Sequence, residues 1–175
     1  MHPFSHAATG WLISNNLDKK RDRTLVTVAA LVPDIDALPI LWNQQLFSEW
    51  HHTFGHNIFC GFGVTIVCTL LAKSKLKTAI LTLIAFHSHI FEDLLGSGKD
   101  WPVLYFWPIS KHEFSLFPPF QWELVSWQNY SITIVLLFLM GWIGIHKGRT
   151  IAELFSERID SEIVKVLRNR FSKMK

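Results

Sequence analysis

The stretch "LKTAILTLIAFHSHIFED", residues 76–93, decides the fold of this chain. It follows a basic turn, "KSKLK" (73–77), runs apolar for most of its length, and ends in histidines and acids. It is too long for an ordinary strand and has no strand-type alternation, so it reads as a helix. Two further runs, "NIFCGFGVTIVCTLLA" (57–72) and "YSITIVLLFLMGWIGIH" (130–146), carry no charge and read the same way. Each falls slightly short of a standard membrane span of roughly 20 residues. Short spans with aromatic flanks and buried helices of a soluble bundle both fit that length. "TLVTVAALVPDIDALPILW" (24–42) is apolar but broken by Pro33 and Pro39, with Asp34 and Asp36 at the break. "HPFSHAATGWLISNN" (2–16) reads as a short helix started by Pro3 and closed near Asn15 and Asn16. The expected fold is all-α, a compact bundle of about five to seven helices. A long aromatic, proline-bearing loop over 96–128 interrupts it, and loops of that length are more often functional than idle. Residues 1–146 form one domain, and 147–175 read as a basic amphipathic helix with Ile159, Ile163, Val166, Leu167 and Phe171 on one face.

Composition points to a membrane. Hydrophobic residues make up 49% of the chain and charged ones 18%, below the quarter usual for soluble domains. The mean hydropathy is +0.22. Eight Trp and fourteen Phe fit interfacial belts as well as cores. The net charge of +3 comes from clusters: "KKRDR" (19–23), "KSKLK" (73–77) and the tail after Lys147. If segments near 24–41, 57–72, 76–94 and 129–146 all cross a bilayer, these clusters fall on one side, as the positive-inside rule prefers. The other side then collects the histidines, the acids and the aromatic loop. A basic face toward nucleic acid is the competing explanation, and nucleic acid is not the expected partner. Cys60 and Cys68 fit no metal or redox spacing and read as buried free thiols. The first residues do not read as a secretory signal.

The candidate chemistry lies at those helix ends. His89 and Asp93 are i and i+4, one helical face, and imidazole with carboxylate suits a divalent ion. Ionisable groups late in an apolar segment are a functional signal. His87 points away from His89, and Glu92 is at i+3, available as an outer group or base. "HHTFGHN" (51–57) allows two pairings. His52 and His56 would share a helical face; His51 and His56 would share a site only if His51 lies in the turn before a helix. "PDID" supplies Asp34 and Asp36, and His6 lies in the first helix with His2 one turn earlier. Histidine with carboxylate and no cysteine is the donor set of a hydrolytic metal site with an open position for water.

The ordered set "HAATG", "PDID", "HHTFGHN", "HSHIFEDLLGSG" and "WPIS" resembles the bacterial membrane-bound metal-dependent hydrolase family, which is distantly similar to zinc-dependent phospholipase C. The likeness covers roughly residues 2–110. It implies metal ligands at His6, Asp34 or Asp36, His51, His56, His89 and Asp93, with Asp36 and Glu92 as candidate catalytic groups. His52 stands where the family usually has arginine, Gly55 where it has threonine, and Asn57 where it has serine. By position His52 and Trp107 become substrate-binding candidates, although a neutral imidazole would hold a phosphate-like group only weakly. The resemblance further implies about one to three divalent ions, zinc first. It places the chain in the bacterial inner membrane as a multi-pass protein, and the charge pattern puts the metal site toward the outer face. The expected reaction is attack of a metal-activated water on an ester or phosphodiester, with membrane lipid as partner and a lipid-like molecule as one candidate substrate. Two alternatives have their own expectations: a non-enzymatic membrane metal-binding or transport protein, and a soluble helical zinc phosphodiesterase or nuclease.

Overall fold

The computed structural model describes residues 1–116 and 120–171. Among these there are seven α-helices: α1 (Pro3–Ser14), α2 (Lys20–Ala29), α3 (Gln44–Trp50), α4 (Ile58–Leu71), α5 (Lys75–Gly96), α6 (Trp127–Lys147) and α7 (Glu157–Phe171). Two 3-10 segments, Pro33–Leu41 and Ile151–Leu154, complete the set. The described residues contain no strand, only an antiparallel bridge between Val103 and Phe114. The all-α expectation holds.

α5 is the central element, packed against α1, α2 and α4. Its buried stripe, Thr78, Thr82, Ala85, Phe86, His89, Ile90 and Asp93, follows the helical repeat and turns polar at the C-terminal end. Trp11 of α1 packs with Leu136, Met140 and Ile143 of α6. Leu17, Val26, Ala30 and Ala85 form a second cluster, and Phe86, Ile90 and Val103 a third. The outer faces of α4 and α6 are apolar yet uncovered; Phe138 is 75% exposed. A contiguous uncovered apolar face of this kind belongs against lipid.

α5 and α6 are each long and apolar enough to cross a bilayer. Two expected spans take a different form. The segment 24–41 is not one helix, because Pro33 and Pro39 divert it: α2 and the 3-10 segment meet at a 64° bend. α4 has 14 residues, roughly 21 Å, well short of a hydrocarbon core of about 30 Å. The C-terminal helix also starts later than residue 147. Gly148 closes α6 in the left-handed conformation (φ 67°), and α7 begins at Glu157. Its face differs as well: Asp160 and Val164 are buried, while Ile159, Val166 and Phe171 are exposed. Residues 172–175 of the expected tail, and 117–119 of the aromatic loop, lie outside the described residues.

The basic clusters do gather at one end. Asp22 accepts from the backbone N–H groups of Lys73 (2.9 Å) and Ser74 (2.8 Å), tying α2 to the start of α5. Arg23 donates to Glu153 (Nε to Oε1, 2.7 Å), which also accepts from Trp11 Nε1 (3.0 Å). Lys20 meets Glu157 at 3.1 Å. The histidines and acids gather at the opposite end, around the last turns of α5.

Candidate metal centre

Asp93 is the hub. Its side chain is buried near the C-terminus of α5, one turn after His89. Oδ2 lies 2.9 Å from His89 Nε2, 3.1 Å from His56 Nε2 and 3.6 Å from His52 Nε2. Oδ1 lies 3.3 Å from His6 Nε2 and accepts from Ser97 Oγ (2.9 Å) and the Met1 amine. Four imidazoles from three separate regions of the chain thus aim the same ring nitrogen at one carboxylate.

The far ring nitrogens explain why. His89 Nδ1 is 2.7 Å from the Ala30 carbonyl, and His52 Nδ1 is 3.0 Å from the Trp101 carbonyl. A carbonyl only accepts, so both Nδ1 atoms carry a proton, and in the neutral imidazole it is Nε2 that presents the lone pair a metal needs. His56 Nδ1 meets Asp36 Oδ2 at 3.0 Å. That oxygen already accepts from the backbone N–H of Thr53 (3.2 Å) and Gly55 (2.9 Å), so it accepts from His56 too. His6 Nδ1 sits 2.8 Å from Glu92 Oε2, close but poorly aligned, and its ring stacks on His89 at 3.7 Å. A histidine tied back at Nδ1 to a carbonyl or carboxylate is how proteins orient an imidazole for metal ligation.

His56 Nε2 and His89 Nε2 are 3.1 Å apart. In the neutral rings, with both protons on Nδ1, two lone pairs face each other, an arrangement that a proton or a metal ion between them turns from repulsive to favourable. Asp34 Oδ1 lies 3.5 Å from His89 Nε2. Tetrahedral ligands at about 2.0–2.1 Å from zinc stand roughly 3.3 Å from one another, which matches this spacing. Asp34, His56, His89 and Asp93 therefore fit a divalent ion with two nitrogen and two oxygen donors. His51, His52 and His56 form a second group whose nitrogens also lie within 4.8 Å of one another.

The segment 51–57 is not helical. α3 stops at Trp50 and α4 begins at Ile58, where the Asn57 side chain caps the Cys60 N–H (2.9 Å). The i,i+4 reasoning for His52 and His56 therefore does not apply; a turn, not a helical face, brings them together. Gly55 makes that turn possible. A Cβ there would stand 2.1 Å from the Pro33 carbonyl and 2.9 Å from Asp36 Oδ2. Only glycine lets the loop lie against "PDID".

Burial pushes the His52 imidazole down to about 3, helped by charge on His56, so His52 is neutral. Burial opposes charge on His56 too, but its hydrogen bonds to Asp36 and Asp93 outweigh that and raise it above the ordinary imidazole range. The surroundings of His56 favour a positive charge, which a proton or a metal ion can supply.

The candidate residues sort by position. His6, Asp34, His51, His52, His56, His89 and Asp93 all converge on this region. Asp36 is there too, but both its oxygens are committed: Oδ1 to His51 Nδ1 (3.0 Å), Oδ2 to the three donors above. That makes it an organiser of the loop rather than a free base. Glu92 stands behind His6. Trp107 lies in the turn after Leu104, whose carbonyl its N–H meets at 2.9 Å, and none of its described contacts reaches the histidines. Trp101 takes that place, with its ring 5.3 Å from His51 and 5.9 Å from His52. Ser97, Trp101 and the Ala30 carbonyl are the contributors that sequence reasoning missed. Ser97 carried a signal, one turn beyond Asp93; backbone carbonyls carry none.

A cavity of about 260 Å³ opens on the centre, lined by Asp34, Phe47, His51, Asp93, Ser97 and Trp101. Beside it runs a mostly apolar trough of about 680 Å³ that shares Asp34 and His51 and extends along Val28, Leu31, Ile35 and Leu38.

A bilayer-length helical pair with a buried His and Asp cluster at one end defines a helical membrane protein carrying a candidate metal centre. The chain belongs to the YdjM inner membrane protein family, whose sequence pattern matches residues 1–156. No curated protein and no solved structure matches it. The soluble-enzyme alternative gives way to that membership.

Proposed function

We propose that this protein is a multi-pass, membrane-embedded metal-dependent hydrolase acting on an ester or phosphodiester. The observation that carries this reading is the convergence of the His56 and His89 Nε2 atoms on Asp93, with Asp34 at the cavity edge. A divalent ion, zinc first, would supply Lewis acidity and an activated water there. Asp36, Ala30 and Trp101 hold the imidazoles in the ligating tautomer. Asp34, whose side chain is 24% exposed, is the ligand that faces the cavity, where water and substrate would enter. Glu92 would act through His6, with Oε2 2.8 Å from His6 Nδ1. Phe47 and Trp101 wall the cavity from bulk water. The trough along Val28 and Leu38 supports a lipid-like substrate. The basic clusters favour the orientation that puts the centre on the outer face of the inner membrane. The test is hydrolysis of bis(p-nitrophenyl) phosphate and of a p-nitrophenyl ester by zinc-loaded protein in detergent. Turnover of either, lost on chelation and restored by added zinc, supports the reading; metal-loaded protein inert on both overturns it.

A further inference from the structure

We infer that His52 is itself a metal ligand, and that with His51 and His56 it forms a second cation seat beside the one made by Asp34, His56, His89 and Asp93. The inference rests on the metal-centre reading above. It departs from the view of His52 as a substrate contact.

The residue carries two unfavourable features at once. His52 is 1% exposed, and its Nε2 has no hydrogen-bond partner among the described residues. Its Nδ1 proton is given to the Trp101 carbonyl, so Nε2 is a bare acceptor; Asp93 Oδ2, 3.6 Å away, cannot donate to it. Its backbone also sits in the left-handed region at φ 67°. Local strain and an orphaned buried lone pair on one side chain mark a position held for a purpose.

The strained turn has a geometric result. Neighbouring residues in extended chain point to opposite sides. His51 is extended, and the left-handed His52 brings both rings to the same side, with centroids 4.3 Å apart. Asp36 Oδ1 holds His51 at Nδ1 and leaves its Nε2 available. His52 and His56 ring centroids are 4.5 Å apart. Each of the three rings offers a nitrogen within 4.8 Å of the other two. Three imidazoles without thiolate or multiple carboxylates suit zinc, cobalt, nickel or copper, not calcium or magnesium. His56 belongs to both groups and its Nε2 serves one ion at a time; with both seats filled it stays with the first, and Asp93, whose Oδ2 lies 3.6 Å from His52 Nε2, would join His51 and His52 at the second. Asp93 lies between the groups, so the two ions would be neighbours.

The experiment uses the full chain in detergent, stripped with chelator, reloaded with Co2+ and desalted. Metal content and visible absorption are read for wild type and for His52→Asn. Asparagine tolerates the left-handed backbone, and its amide can still donate to Trp101. Wild type should retain two equivalents and His52→Asn one, with the absorption of the lost seat missing from the difference spectrum. His52→Arg, which puts a fixed cation in the same place, should also retain one. Equal content and equal spectra in wild type and His52→Asn overturn the inference and leave the first seat standing. A wild type with no cobalt overturns both. If His52→Asn fails to fold, cadmium NMR of the wild type decides: two resonances support the second seat, and a single one overturns it.

Discussion

Replacing Asp36 with asparagine tests how the centre is organised. Asp36 is fully buried and accepts from His51 Nδ1 (3.0 Å), Thr53 N (3.2 Å), Gly55 N (2.9 Å) and His56 Nδ1 (3.0 Å). Asparagine keeps the shape but has one acceptor oxygen. Placed toward Thr53, Gly55 and His56, that oxygen keeps three bonds and weakens each from charge-assisted to neutral. The amide then points its hydrogens at His51. Charge-assisted bonds contribute about 1.5–3 kcal/mol and neutral ones about 0.5–1.5 kcal/mol. One lost bond and three weakened ones come to roughly 5 kcal/mol, and rotation of the partly exposed His51 recovers about 1 kcal/mol of it. The expected loss of stability is therefore about 4 kcal/mol, read by denaturant unfolding in detergent. Metal affinity should fall about 10–100-fold, as when an outer partner of a ligating histidine is removed, with stoichiometry unchanged. Zinc competition against a chromophoric chelator measures that. Unchanged stability and affinity would refute the organising role, and lost stoichiometry would make Asp36 a ligand instead.

Two further outcomes follow from the geometry. Arg23→Met leaves Glu153 buried with Trp11 Nε1 as its remaining side-chain donor, and should cost about 3–5 kcal/mol on thermal or denaturant unfolding. The metal content of the folded fraction should not change, because that ion pair lies at the opposite end of the bundle. Metal uptake should strengthen with pH. His56 is raised above its ordinary value, so below its pKa the folded protein holds a proton that the ion must displace. Affinity therefore rises about tenfold per pH unit below that pKa, which lies above the ordinary value of about 6.5. His52, pushed down to about 3, adds nothing to this slope. A pH-independent affinity at and below about pH 6.5 would contradict the proton count.

Much of the fold was legible because apolar length dominates it. The runs at 57–72, 76–91 and 130–146 became α4, α5 and α6 with ends displaced by a few residues. The i,i+4 reading of His89 and Asp93 held, since both lie inside an uninterrupted helix and meet at 2.9 Å. The same rule failed at "HHTFGHN" because Gly55 must approach the Pro33 carbonyl, a tertiary contact that periodicity does not encode. The aromatic loop does reach the histidines, but its composition does not separate Trp101 from Trp107. The deciding group is the Trp101 carbonyl on His52, and any residue could supply a carbonyl. The late start of α7 had a visible cue in Gly148, which the amphipathic pattern of the tail obscured.

The central claim is that these histidines and acids hold a metal. Its most direct test is elemental analysis, with X-ray absorption, of wild type and His89→Ala purified without chelator. Wild type should carry at least one zinc-like ion, with only nitrogen and oxygen neighbours at about 2.0–2.2 Å. His89→Ala should carry at least one ion fewer than wild type while keeping its helical circular dichroism. A metal-free wild type that also fails to take up added zinc would contradict the account.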